Sequence, residues 1–324
     1  MKIFKYLILI LIFLLGCSAM VFYEGDIPAD VVDARYTSSD SQFLRLGDLG
    51  RLHYRDEGRR QAPPLLLIHG SNASLHIFEP WVVRLKDKFR IITIDLPGHG
   101  LTGEVPSGDY SSKTMVEVVN ALVNKLELEH FVIGGSAMGG SVALRYVLDH
   151  PEKITGLVLI DAAGYTKNGG GTDTSQGILA FSLLKHRWFR AIGEVMDPYY
   201  FVSQGLKGAF HDQAFVTEAM VMRYHDLTLR KGTRKATMKR FSQTTDENFQ
   251  DGDLANFAEL DLPTLLMWGK EDAIAPFTLT AGYEALVPNI STAYYADVGH
   301  LPMEEVPKTS AADLIDFMEA IDEN

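Results

Sequence analysis

The chain has 324 residues, with 30 Lys and Arg against 42 Asp and Glu, and a formal net charge of −12. This length and an apolar content of 46% are typical of a globular protein with a sizeable core and exclude a disordered or collagen-like chain. The acidic balance argues against nucleic acid as a partner, because binding phosphate requires basic patches. The single cysteine, Cys17, excludes a disulfide framework and a cysteine-based zinc site.

The first 23 residues have the composition of an export or membrane segment. Two lysines near the start are the only charges before residue 24, and the uncharged stretch Tyr6–Tyr23 would span about 27 Å as a helix, close to the hydrocarbon thickness of a bilayer. An uncleaved signal-anchor, a lipoprotein signal lipidated at Cys17 within the letters LLGC, and a cleaved signal peptide all remain open. We expect a protein associated with the membrane, on the periplasmic face of the inner membrane or as a lipoprotein of the cell envelope.

Short apolar runs with strand character recur along the chain and alternate with stretches of helical periodicity. This alternation predicts an α/β fold with a mainly parallel central sheet flanked by helices. The runs are Leu65–His69, Phe89–Asp95, Phe131–Gly135, Leu157–Asp161, Leu265–Gly269 and Thr292–Ala296. Two earlier runs, Phe43–Leu46 and Leu52–Tyr54, predict an antiparallel hairpin at one edge. The expected helices are Ser111–Leu126, Ala137–Asp149 and Ser310–Ile321, the last capped by Thr309 or Ser310.

The pattern changes between residues 166 and 261, where helical periodicity continues without strand-like runs and aromatic and Met residues are dense. We expect a helical cap inserted after the sixth strand, over the strand ends where open α/β sheets bind ligands. The predicted division is a segment 1–23, a core of 24–165 and 262–324, and a cap of 166–261. Within the cap, Arg223–Arg240 holds seven basic residues and one acid, which indicates either a face toward anionic lipid headgroups or a solvated face paired with acids elsewhere.

The stretch Gly134-Gly135-Ser136-Ala137-Met138-Gly139-Gly140 resembles a nucleophile elbow, G-x-S-x-G, on a strand-to-helix turn. The turn presses together the residues two before and two after the nucleophile, so both must be small. With Ser136 as nucleophile one flank is Met138, whereas position 137 has Gly135 and Gly139 as flanks. Position 137 fits, but it is alanine. We interpret Ala137 as a Ser→Ala change of the nucleophile; a naturally inactive homologue and Ser136 as nucleophile are the alternatives.

An acid and a histidine follow the elbow in the order that this motif requires. Asp272 comes after the run Leu265–Gly269, and His300 lies in Val298-Gly299-His300-Leu301-Pro302 after another strand-like run. We expect His300 to act as the base and Asp272 to hold its tautomer. Asp161, at the end of an earlier run, is the alternative acid.

The turn His69-Gly70-Ser71-Asn72 follows the run at Leu65 and is typical of an oxyanion-hole loop. We expect the backbone N–H groups of Ser71 and Met138 to form the oxyanion hole, with Asn72 as the alternative to Ser71. The next turn, Asp95 to Gly100, includes Asp95 and His99, which we interpret as structural. The sequence contains no Gly-x-Gly-x-x-Gly between strand and helix, no P-loop and no His-Glu-x-x-His, so we expect no cofactor and no metal.

Together these motifs resemble the α/β-hydrolase fold family over Arg51–Asp322. Leu159–Tyr165, Arg223–Leu227 and the apolar first segment are similar to bacterial membrane-anchored esterases and lipases of the family V type. The resemblance implies a carboxylic ester hydrolase with a small ester or lipid substrate, from which Ala137 departs at the nucleophile. A meta-cleavage-type C–C hydrolase or a lactonase on the same triad, and an inactive membrane-tethered binding protein, are the alternatives.

Overall fold

The described residues, 22–162, 186–243 and 251–322, form one eight-stranded sheet in the computed structural model. The order of its strands is β1-β2-β4-β3-β5-β6-β7-β8. The strands are β1 (Ser41–Arg45), β2 (Arg51–Gly58), β3 (Pro64–Ile68), β4 (Arg90–Ile94), β5 (Phe131–Ser136), β6 (Ile154–Ile160), β7 (Thr264–Gly269) and β8 (Ile290–Tyr295).

The sheet is parallel except at one edge. β1 pairs with β2 and β2 with β4 in antiparallel register, for example Leu44 opposite Leu52, and the other neighbours are parallel. The predicted α/β fold, with a mainly parallel sheet and an antiparallel hairpin at its edge, is therefore confirmed. All the parallel strands run the same way, so their carboxyl ends share one edge of the sheet, where ligand sites of such folds lie.

Helices cover both faces of the sheet. They are α1 (Ala29–Tyr36), α2 (Glu79–Leu85), α3 (Ser112–Lys125), α4 (Met138–Asp149), α5 (Arg187–Gly193), α6 (Tyr199–Ala209), α7 (Glu218–Leu229), α8 (Thr233–Gln243), α9 (Asp251–Ala258), α10 (Thr280–Leu286), α11 (Pro302–Glu305) and α12 (Pro307–Asp322). The predicted cap of α12 by Thr309 or Ser310 is wrong, because the helix begins at Pro307. The Ser310 hydroxyl lies inside it and donates to the Val306 carbonyl.

The core has two layers because the central strands are apolar on both sides. In β3, Leu66 and Ile68 pack in the layer with α3 and α4, whereas Leu65 and Leu67 pack in the layer with α2 and α12. All four side chains are fully buried, which contributes about 1.5–3 kcal/mol each relative to exposure. The two layers fix β3 and the loop that follows it.

Helices α5 to α9 lie between β6 and β7, at the place where the sequence predicts a helical cap after the sixth strand. The cap boundaries proposed above stay a prediction, since residues 163–185 and 244–250 lie outside the described residues. So do residues 1–21, including Cys17. In the part of the chain that the structure describes, no helix is long and apolar enough to cross a membrane.

Candidate active site

Ala137 lies at the turn between β5 and α4. Its φ of 48° and ψ of −117° are unusual for a residue with a side chain and match the strained strand-to-helix turn of a nucleophile elbow. A Cβ on Gly135 would lie 2.2 Å from the Gly139 carbonyl carbon, and one on Gly139 would lie 2.1 Å from the Ile68 carbonyl oxygen. Both positions therefore require glycine, as the sequence argument for position 137 assumes.

Ser136 occupies a different environment from Ala137. It is the last residue of β5, its side chain is buried, and its hydroxyl has no hydrogen-bond partner among the described residues. The structure thus places Ser136 within the strand and Ala137 on the turn.

His300 and Asp272 form a hydrogen-bonded pair beyond the ends of β8 and β7. The His300 Nδ1–H donates to Asp272 Oδ2 at 2.7 Å, and both residues are buried. Asp272 Oδ1 accepts from the backbone N–H groups of Ile274 (2.7 Å) and Ala275 (2.9 Å), which fix the carboxylate. With its proton on Nδ1, the imidazole has Nε2 available to accept another.

Asp161, just after β6, joins this pair. One side-chain ligand atom from each of Asp161, Asp272 and His300 lies within 4.8 Å of the others. The Asp161 backbone has a φ of 44°, and its Oδ1 accepts from the Gly269 N–H at 2.9 Å. The 2.7 Å between Nδ1 of His300 and Oδ2 of Asp272 is a hydrogen-bond distance, so these two atoms are bridged by a proton.

Burial and the neighbouring charge of Asp272 raise the pKa of Asp161 well above its usual range. The shift favours the protonated, neutral form of Asp161. Of the two acids, Asp272 is the one whose side chain is hydrogen-bonded to the histidine.

The loop after β3 lies against the elbow. A Cβ on Gly70 would be 3.1 Å from the Cβ of Ala137, so Gly70 lets the loop approach the turn closely. Within the described part of the chain, the N–H groups of Ser71 and Met138 have no backbone acceptor. The two residues predicted to form the oxyanion hole thus flank Ala137 in the structure, one through the adjoining loop and the other as the first residue of α4.

Arg240, from α8 of the cap, reaches this loop; it belongs to the basic run of the cap, and the sequence carries no signal for this contact. Its buried guanidinium donates from Nη2 to Ser71 Oγ at 2.8 Å and to Asn72 Oδ1 at 3.0 Å. Asn72 has a left-handed φ of 58°, which the hydrogen bond to its side chain helps to hold. Burial lowers the pKa of Arg240 to about 10, so the group is still charged at neutral pH.

A buried network of His and Asp side chains lies under the loop after β3, His69–Asn72, which we call the oxyanion loop. His69 donates from Nδ1 to the Gly70 carbonyl (2.7 Å) and accepts at Nε2 from the Leu96 N–H (3.0 Å). Asp95 accepts from His53 Nδ1 (2.7 Å) and from two backbone N–H groups. Burial alone would raise the pKa of Asp95, but the His53 hydrogen bond and the nearby histidines lower it overall. These contacts hold the loop in place.

The cap is also bonded to the histidine loop. The His300 N–H donates to the Ala209 carbonyl at the end of α6, at 2.7 Å. Buried Glu305 accepts from the N–H groups of Gly299 (2.7 Å) and His211 (3.0 Å), joining the two segments. Cap residues therefore contact both loops that carry the predicted site.

The basic run of the cap is mostly turned inward. Arg230 pairs with Asp33 (2.8 Å) and Arg234 with Asp26 (2.6 Å), while Arg223 lies 3.6 Å from both Glu79 and Glu304. With Arg240, four arginines thus make internal contacts, and the exposed members are Lys231, Lys235 and Lys239. Arg223, Arg230 and Arg234 do pair with acids elsewhere in the chain, as the second interpretation expects, but the arginines are buried or half-buried instead of solvated.

Known proteins are similar to this chain over most of its length. The uncharacterized hydrolase YugF of Bacillus subtilis (strain 168) is 29% identical over 269 residues, which are 82% of this chain and 92% of that protein. Lipase 3 of Moraxella sp. (strain TA144) is 24% identical over 86% of this chain and 84% of its own length. The crystal structure of a membrane phospholipase A described as a bacterial virulence factor superposes with a TM-score of 0.74 at 23% identity, covering 99% of this chain and 100% of that one.

The family model for the alpha/beta hydrolase fold matches residues 63–307, which include the elbow, Asp272 and His300. The chain therefore belongs to the α/β hydrolase fold family.

Proposed function

We propose that this protein is a carboxylic ester hydrolase that acts by acyl transfer when serine stands at position 137, and that Ala137 makes the present chain inactive. The observation that carries the proposal is the 2.7 Å hydrogen bond between His300 Nδ1 and Asp272 Oδ2, beside an elbow whose flanking glycines fit position 137. Such a nucleophile, base and acid, in this chain order, form the triad of serine hydrolases on this fold.

The reaction has two steps. The serine oxygen attacks the ester carbonyl carbon while His300 Nε2 takes the hydroxyl proton, and the N–H groups of Ser71 and Met138 stabilise the oxyanion. The C–O bond to the alcohol then breaks, and His300 returns the proton to the leaving alcohol. Water, deprotonated by His300, hydrolyses the acyl-enzyme to a carboxylic acid and frees the serine. Alanine has no hydroxyl, so the present chain would bind an ester without acylation.

The two competing residues fit these roles less well. Ser136 lies buried in β5, with the bulky Met138 at the flank where the elbow needs a small residue. Burial raises the pKa of Asp161, which disfavours the charged form that His300 needs, and the hydrogen bond of His300 Nδ1 goes to Asp272. We therefore assign Asp272 as the acid and position 137 as the nucleophile.

We infer that the substrate is a small-molecule ester or a lipid and that residues 1–23 attach the chain to a membrane. Support for a lipid comes from the relatives, which include Lipase 3 of Moraxella, and from the fold shared with a membrane phospholipase A. Support for attachment comes from the uncharged stretch Tyr6–Tyr23. The location would then be the periplasmic face of the inner membrane or the cell envelope.

Restoring the nucleophile tests the proposal. The Ala137→Ser variant should hydrolyse nitrophenyl esters of short or medium acyl chains at least about 10³-fold faster than the parent chain. Adding His300→Ala to this variant should remove the gain. An Ala137→Ser variant that hydrolyses no ester of a broad panel would contradict the proposed ester hydrolase and favour a binding protein.

Two further measurements separate the alternatives. Activity in the parent chain that disappears with Ser136→Ala would assign the nucleophile to Ser136. Cleavage of a vinylogous diketone by the Ala137→Ser variant, without ester hydrolysis, would assign a C–C hydrolase, and selective opening of lactones would assign a lactonase.

A further inference from the structure

The large apolar side chains that are exposed to solvent are concentrated in one region of the protein. Of the fourteen such side chains in the described residues, eight come from residues 22–23 and from 188–201 of the cap. We name these eight the cap aromatic face: Phe22, Tyr23, Trp188, Ile192, Val195, Tyr199, Tyr200 and Phe201. Trp188 is 60% and Tyr200 66% exposed, so these rings meet solvent rather than a core. Concentrated apolar exposure of this kind marks an interaction surface.

Contacts connect several members of the face. Ring centroids link Trp188 to Phe189 (5.7 Å), Phe189 to Phe201 (6.5 Å) and Phe201 to Tyr200 (5.8 Å), joining α5 to α6. Backbone hydrogen bonds attach the residues at the start of the described chain to this part of the cap. The Asp197 N–H donates to the Phe22 carbonyl at 2.8 Å.

A second bond runs from the Glu24 N–H to the Val195 carbonyl at 3.0 Å. Phe22 and Tyr23 are thus fixed to the cap from both sides.

The chain that precedes this face identifies its occupant. Residues 1–21 directly precede Phe22 and are apolar apart from two lysines near their start. Phe22, the residue that follows this segment in the chain, is bonded to the cap beside the cap aromatic face. If that segment enters a bilayer, only a few residues of chain separate the bilayer from the cap aromatic face. Trp and Tyr are also the residues that favour the interface between lipid and water.

We propose that the cap aromatic face lies against the headgroup region of the bilayer to which the N-terminal segment attaches the chain. The proposal rests on the membrane attachment inferred above. It orients the protein with α5 and α6 toward the lipid, so that the Ala209 end of α6, which contacts the His300 backbone, lies between the membrane face and the site.

The tryptophans provide a test. Trp81 and Trp268 are fully buried, so Trp188 is the exposed emitter among the three in the chain. The full chain is reconstituted in vesicles of phosphatidylcholine and phosphatidylglycerol, with the phosphatidylcholine brominated on its acyl chains near the ester linkages. We expect the brominated lipid to quench most of the emission that the Trp188→Phe change removes. A matched control moves the probe to Val83 of α2, which is 66% exposed, by combining Val83→Trp with Trp188→Phe.

Each outcome has one meaning. Quenching at position 188 and not at 83 supports the proposal. A chain that floats with the vesicles but shows no quenching at 188 stays attached and overturns the orientation. A chain that does not float overturns the attachment, and the orientation with it. A Trp188 emission shift that appears in lipid-free micelles and grows with protein concentration would assign the face to a second copy of the chain, against the proposal.

Discussion

A carboxyl oxygen of Asp161 lies within 4.8 Å of one of Asp272, and both side chains are buried. Ionising two carboxyl groups so close together in a low-dielectric site costs free energy. Burial, together with the charge of Asp272, therefore raises the pKa of Asp161. The proton can rest on Asp161 Oδ2, since Oδ1 accepts from Gly269. Asp272, and not Asp161, holds the hydrogen bond to His300 Nδ1.

This division predicts unequal effects of amide substitution in the Ala137→Ser variant. Asp272→Asn should lower kcat by about 10³–10⁴, because an amide no longer favours the His300 tautomer with Nδ1–H. Asp161→Asn should lower kcat only a few-fold, because an amide oxygen can still accept from the Gly269 N–H and the hydrogen bond of His300 to Asp272 is kept. Steady-state kinetics on a nitrophenyl ester measure both, with circular dichroism to confirm folding. The reverse ranking would make Asp161 the acid of the triad.

Glu304 predicts a pH dependence of stability. Burial raises its pKa to about 7 from a usual 4.5, although Arg223 opposes the shift. Between these values the unfolded chain loses a proton that the folded chain keeps, so the free energy of unfolding should fall as pH rises through this window, by about 3 kcal/mol in total. Glu304→Gln should flatten this fall in urea unfolding measured at the two ends of the window. Exposed Glu259 offers the control, since Glu259→Gln should leave the slope as it is; an equal slope in Glu304→Gln would show that Glu304 does not cause it.

The sheet could be predicted from the sequence because its central strands are apolar and buried along almost their whole length. The elbow was predicted for a similar local reason: Gly135 and Gly139 are required by contacts within one turn and with the adjoining strand. Asp272 and His300 could be found because each directly follows a strand whose end lies at the common edge of the sheet.

Contacts between distant segments could not be predicted in this way. Arg240 is 169 residues from Ser71, and Arg234 is 208 residues from Asp26, so neither partner could be read from the local charge pattern. Ser310 was misplaced because a serine near a predicted helix start favours a cap, whereas Pro307 begins the helix one turn earlier. Tertiary packing decides these cases.

The elbow geometry predicts which glycine tolerates a methyl group. Gly139→Ala would place Cβ 2.1 Å from the Ile68 carbonyl and 2.6 Å from that of His69, which are backbone atoms that cannot give way. We expect a loss of about 3 kcal/mol or more in the free energy of unfolding, measured with urea. Gly208→Ala in α6 meets nothing within 4 Å and should instead gain up to about 1 kcal/mol from helix propensity. If Gly139→Ala were as stable as the parent, the steric basis for position 137 would be lost.

The contact of Arg240 with the oxyanion loop leads us to expect that the cap influences kcat. Its two hydrogen bonds to Ser71 and Asn72 hold side chains of the loop whose N–H is proposed to stabilise the oxyanion. In the Ala137→Ser variant, Arg240→Met should lower kcat by about 10–100-fold with a smaller change in KM, because the loop N–H would no longer be held in place. Arg240→Lys should lower kcat less than Arg240→Met, because lysine keeps the positive charge. The recovery should be incomplete, because an ammonium group cannot make the two hydrogen bonds of the planar guanidinium in the same geometry.

Two controls separate this effect from a general loss of folding. Lys235→Met removes an exposed charge from the same helix and should leave kcat unchanged. Guanidinium ion added at non-denaturing concentration to the smaller Arg240→Ala variant should raise its kcat, because it can refill the space and donate to Ser71 and Asn72. A variant that loses thermal stability without any change in kcat would make Arg240 a structural cation, and a change confined to KM would place it in substrate binding.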